Sequence, residues 1–164
     1  MAETVNALTV SVSLKGTVAG TDGALLKVDI VKEITFSDGT GTNQIGSVWQ
    51  DLSRPLNATS EDLNLDGLSD FQGATNAITN VGVFYMENLD EDTGDKFTIG
   101  GASGNQFVGM ITTATGTVDI GPGGFMLWVS PVDKGAITAT TGDLLKVLSA
   151  DNSTYKILVG GDNA

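Results

Sequence analysis

The chain has 164 residues, and 8 basic against 20 acidic side chains leave a formal net charge of −12. That charge repels phosphate backbones and argues against direct nucleic-acid binding. The chain has neither cysteine nor histidine, which removes disulfides, thiolate nucleophiles, Ser-His arrangements and the usual zinc and copper ligands.

The length is that of one domain with its own core. With 22 glycines, 3 prolines and 40% hydrophobic residues, the composition suits a β-rich globular chain rather than a disordered one. The first residues, MAETVNALTVSV, show no basic flank ahead of an apolar run, and no apolar run is long enough to span a bilayer. The chain is therefore expected to work without processing and without a membrane. Residues 1–6 are read as a flexible N-terminal arm and residues 7–164 as the folded domain.

In residues 7–17, Leu8, Val10, Val12 and Leu14 alternate with Thr9, Ser11, Ser13 and Lys15, as in a half-buried strand. After a Gly-rich turn, Leu26, Val28, Ile30, Ile34 and Phe36 share one parity in a second long strand, so the two predict a hairpin. SDGTGTNQ reads as a loop. A strand from Ile45 to Asp51 should then end at Arg54 and Pro55, because proline cannot continue a central ladder.

SEDLNLDGL predicts a short strand and a turn, and DFQGATNAI an irregular stretch. VGVFYMEN is a strong strand, followed by the polar turn LDEDTGD and by short strands in KFTIGG, NQFVGMI and GTVDI. GPGGFMLWVS is apolar on both faces, with Phe125, Leu127 and Val129 opposite Met126 and Trp128, and it reads as a core strand, buried on both faces in the middle of a layered or multi-subunit β structure. AITA, DLLKVLS and STYKILVG follow. About ten strands at such spacing predict an all-β, single-domain antiparallel β-sandwich or jelly roll.

The sharpest chemical motif is DLNLDGLSD. Asp62, Asn64, Asp66 and Asp70 place oxygen ligands as a calcium loop does, with Gly67 at the sharp turn. The residue at the EF-hand's bidentate position is Gly73, and Leu63, Leu65 and Leu68 interleave with the polar residues as in an ordinary strand. The strand reading is preferred, and calcium is the one cofactor kept as a candidate. Glu87, Asp90, Glu91, Asp92 and Asp95 read as a solvated turn. GGASGN lacks the lysine of a phosphate-binding loop and leads into no helix. No nucleophile–base pair stands out, so no enzymatic activity is expected.

FSDGTGTNQIGSVWQDLSRPL, SEDLNLDGLSDFQG, VGVFYMEN, TIGGASGNQF, GPGGFMLWVSP, ITATTGDLLKV and STYKILVGG occur in that order between about Leu8 and Gly161. Together they resemble a family of small structural proteins of tailed bacteriophages. The resemblance implies a virion component with a β-sandwich or jelly-roll fold, a capsid decoration (cement) protein that binds the major capsid protein on the outer head surface. It also implies a homotrimer matched to local threefold positions, with Trp49 and Trp128 as candidate interface residues. It carries over no assigned functional residue. The alternatives are a structural protein of the tail, neck or baseplate, or a calcium-dependent or carbohydrate-binding β-sandwich module.

Overall fold

The alternation at the start of the chain produces a long two-stranded ribbon. In the computed structural model, which describes residues 5–19, 25–57, 59–68, 78–92, 95–102, 104–111 and 113–163, strand β1 (Leu8–Ala19) pairs antiparallel with β2 (Leu25–Asp38). Directly opposed residues share a face. Leu8 with Phe36, Val10 with Ile34, Val12 with Lys32 and Leu14 with Ile30 therefore form one largely apolar face. The opposite face is polar: the Thr9 and Thr35 hydroxyls lie 3.2 Å apart, Ser11 donates to Glu33 at 3.2 Å, and Lys15 meets Asp29 at 3.9 Å. The short strand β3 (Gln44–Ile45) joins the far side of β2 in parallel.

The body is built from two sheets. Strands β4 (Ser47–Leu56), β6 (Ile78–Asn88), β9 (Phe125–Val129), β10 (Gly135–Ala136) and β12 (Ser153–Asn163) form one. Here β12 lies between β4 and β6, while β9 and β10 share the other edge of β6. The second sheet runs β5 (Ser60–Asn64), β11 (Leu144–Leu148), β7 (Phe97–Gly100) and β8 (Thr117–Ile120). Apart from the parallel β2–β3 pair, every ladder is antiparallel. Among the described residues the only helical piece is a 3-10 turn, Leu65–Gly67.

Strand parity explains the two cores. On the inner face of the five-stranded sheet, Phe84, Met86, Tyr155, Ile157 and Val159 pack with Leu63, Phe97, Ile99, Ile120, Leu145 and Val147 of the four-stranded sheet. The outer face carries the other parity. Val83, Val48, Val129 and Leu158 pack there against Val5, Phe36, Ile45, Leu8, Val10 and Ile34. The base of the β1–β2 ribbon is thus a third layer over part of that sheet. Gly160 permits the close seating, since a Cβ there would stand 3.3 Å from Ile45 Cδ1 and 3.7 Å from Leu8 Cδ2.

The all-β, antiparallel reading matches the structure, and four sequence expectations change in detail. The GPGGFMLWVS strand lies between two apolar clusters but is not fully buried on either face, and Phe125 on it is 66% exposed. β4 runs through Pro55 to Leu56. Among the described residues its only ladder is with β12, so the missing N–H of proline costs nothing on the other side. NQFVGMI forms turns and an isolated bridge, Gln106 to Leu144, rather than a strand. Val5, assigned to the flexible arm, is buried in the outer cluster, and its N–H donates to Asp38 Oδ1 at 3.4 Å. Residues 1–4 and nearly all of DFQGATNAI lie outside the described residues.

Candidate docking surface

The calcium motif falls on β5 and the turn after it. Asp62 and Asn64 share the exposed face of β5, while Leu63 and Leu65 point inward. Asn64 Oδ1 accepts from the Asp66 N–H at 3.0 Å, closing an Asx turn that starts the 3-10 segment. Asp70 lies outside the described residues. Among the described residues no three acidic side chains are grouped so that they could hold a metal ion. Asp143, buried beside this turn, was not singled out from the sequence. Its backbone oxygen accepts from Leu65 N at 2.8 Å and its Oδ2 from Thr140 N at 3.0 Å.

Trp49 and Trp128 sit on the two flanks of the sheet, in β4 and β9, opposite Val159 and Phe84. Both are half-buried against the main core. Arg54 stacks over the Trp49 ring at 5.8 Å. Its guanidinium forks onto Glu61, with Nε 3.1 Å from Oε1 and a terminal nitrogen 2.9 Å from Oε2, and Glu61 also accepts from the Tyr155 hydroxyl. Burial pulls the Arg54 pKa down, but the Glu61 hydrogen bond and charge raise it further, so it stays charged. The group ties β4 and β12 of one sheet to β5 of the other.

Asn88 holds the two described ends of the acidic turn. Asn88, which is buried, donates to Asp95 O at 2.8 Å and accepts from Asp90 N at 3.0 Å. Glu87 takes Lys156 Nζ at 3.0 Å and the Tyr85 hydroxyl at 2.8 Å, which holds its carboxyl below the usual range. Lys96 and Thr98 lower Asp119 in the same way. Both depressed carboxylates contribute stability above their unfolded pKa, and that contribution is lost as pH falls through the folded values.

The chain has two tyrosines. Burial, then the Glu87 hydrogen bond, push Tyr85 up to about 12, and burial with the Glu61 bond raises Tyr155 as well. Their stabilising effect is complete below the ordinary value of about 10 and is lost as pH rises through the folded values. Ultraviolet titration of the native protein should show no tyrosinate at the ordinary value, with Tyr85 appearing near 12. The urea midpoint should fall over the same interval. A tyrosine ionising at its ordinary value would show that its ring is not held in the surroundings described, by burial and a carboxylate partner.

An open groove lies beside β1 on the outer face. This groove of about 460 Å³ is walled by Leu8 to Ser13 on one side and by Val83, Tyr85, Phe125, Leu127 and Leu158 on the other. None of these residues carries a formal charge. The Tyr85 and Phe125 rings stand 6.0 Å apart at its mouth. Beyond it the ribbon leaves the body with its apolar face open, and Leu14 and Ile30 are each 59% exposed. The sequence showed the alternation that makes this face but not where its cover stops. No family model, curated protein or solved structure matches this chain.

Proposed function

We propose that this chain is a structural protein of a tailed-phage virion, a jelly-roll capsid decoration protein that binds the major capsid protein on the outer head shell and stabilises capsomer junctions as a trimer. The observation that carries this reading is the β1–β2 ribbon, docked at its base and apolar farther out, where none of the described residues covers it. A two-stranded ribbon is marginal on its own in water, so a projecting one with a bare apolar face belongs in contact with neighbours. The acidic surface supports the same reading, since like charge keeps particles apart and discourages adhesion to nucleic acid. The ordered segments that resemble phage structural proteins supply the setting.

The test is the copy number of this chain relative to the major capsid protein in purified particles, by quantitative mass spectrometry. Copies in proportion to the capsomers are expected. A count fitting a single vertex or the tail would overturn the decoration reading, and absence from particles would overturn the virion reading altogether.

A further inference from the structure

The apolar face of the ribbon begins inside the outer core and continues off the body. Leu8, Val10, Ile34 and Phe36 are packed, whereas Val12, Leu14 and Ile30, next along the same face, are exposed. Lys32 is the one charged residue among these pairs, and Gly16 opposite Val28 prolongs the face toward the tip. β1 is also the edge of its sheet, with no strand on its outer side among the described residues. A long edge strand with unpaired N–H and C=O groups is a template for another strand. The groove runs along that edge and is floored by apolar side chains of the body.

We infer that this groove receives the exposed half of the ribbon from a second copy of the chain. The site calls for a strand with apolar side chains at alternate positions and free main-chain groups, and every copy presents one. Pairing to the β1 edge supplies hydrogen bonds while the alternate apolar residues fill the groove, the logic of β-strand addition.

Charge supports the same occupant. Two chains of net charge −12 repel, yet Leu8 to Phe36 carries three lysines (Lys15, Lys27, Lys32) against three acids (Asp22, Asp29, Glu33). A neutral ribbon entering an uncharged groove is the approach that repulsion opposes least. Size supports it too. About eight residues per strand at roughly 3.3 Å each, on two strands about 5 Å apart, give a footprint on the order of 250 Å². In a reciprocal pair each chain gives one ribbon and one groove, on the order of 500 Å² per partner, which reaches roughly the 1,000 Å² of total burial that a specific interface needs. Contact between two different surfaces of the same chain gives a reciprocal pair or a ring where the rotation closes, and an open filament where it does not.

The test is the solution mass of the purified full chain by sedimentation equilibrium across micromolar concentrations. The wild type should have a mass that is a small whole multiple of 16.9 kDa. Leu14→Glu/Ile30→Glu, which alters two side chains exposed to solvent, should be monomeric with an unchanged circular dichroism spectrum. Phe125→Glu, on the groove side, should also be monomeric. A monomeric wild type would overturn the proposal and assign the face to a different protein. An oligomer that survives both sets of substitutions would overturn it as well. Neither outcome depends on the presence of the chain in phage particles.

Discussion

Replacing Lys134 with methionine is expected to cost about 3–5 kcal/mol of folding stability, the range for removing one partner of a buried ion pair. The side chains of Lys134 and Asp162 are only 7% and 9% exposed and bond directly to each other. Around them, Lys134 Nζ also donates to Gly41 O at 3.1 Å, Asn80 Nδ2 donates to Asp162 Oδ2 at 3.2 Å, and Thr79 donates to Asp162 O at 3.3 Å. The lysine stem lies over Gly82, where a Cβ would meet its methylenes at 3.5 Å. Methionine keeps that packing but removes the charge and its N–H donors, so Asp162 is left without its counter-ion and Gly41 O without its donor. The reverse change, Asp162→Leu, strands the lysine. The double variant Lys134→Met/Asp162→Leu should be less destabilised than Lys134→Met alone, because no uncompensated charge remains. Urea unfolding of the three variants gives the comparison, and a Lys134→Met midpoint within error of wild type would show that water solvates the pair. The contact to Gly41 also fastens the β2–β3 loop, so the base of the ribbon should exchange amide hydrogens faster in this variant.

The Lys134–Asp162 clamp marks where reading the sequence stops. Its partners are 28 positions apart, and nothing near either residue announces the other. The ribbon could be foreseen because alternation is local: Leu8, Val10, Val12 and Leu14 obey period two whatever they touch. The burial of β9 is less than its sequence suggests for the complementary reason. Met126 and Trp128 do face the main core, but Phe125 and Leu127 face a groove that the ribbon covers only in part. Apolar residues on both faces reveal two apolar surroundings, not whether a layer of the same chain supplies each one. Pro55 misled similarly, since proline stops a ladder only where its nitrogen faces a neighbour, and among the described residues no strand pairs with the second side of β4. The DLNLDG spacing was legible as a pattern of oxygens. What it could not show is that Asn64 spends its side-chain oxygen on the backbone of Asp66.

Glu61→Leu is expected to destabilise the chain by about 2–4 kcal/mol, chiefly through the partners it leaves behind. Tyr155 is fully buried and its hydroxyl donates to Glu61 across 94 positions of sequence. Without the carboxylate that hydroxyl stays in the interior with its donor unsatisfied. Arg54, with 29% of its side chain exposed, retains the Trp49 face and partial contact with water, so its share of the loss is smaller. Tyr155→Phe removes the stranded hydroxyl along with the bond, and should cost about 1 kcal/mol. In the Glu61→Leu/Tyr155→Phe double variant the two losses should therefore fall short of additive, with a coupling of about 1–2 kcal/mol, because the second substitution repairs what the first exposed. Strict additivity in denaturant unfolding would mean that the hydroxyl finds another acceptor and that the Glu61–Tyr155 bond does not tie the sheets. Phe97 packs edge-on against the Tyr155 ring at 5.4 Å, and that contact survives Tyr155→Phe. The cycle thus separates the polar tie from the packing around it. The polar tie fixes how β5 meets β4 and β12, and so sets the relative position of the two sheets at that end of the body.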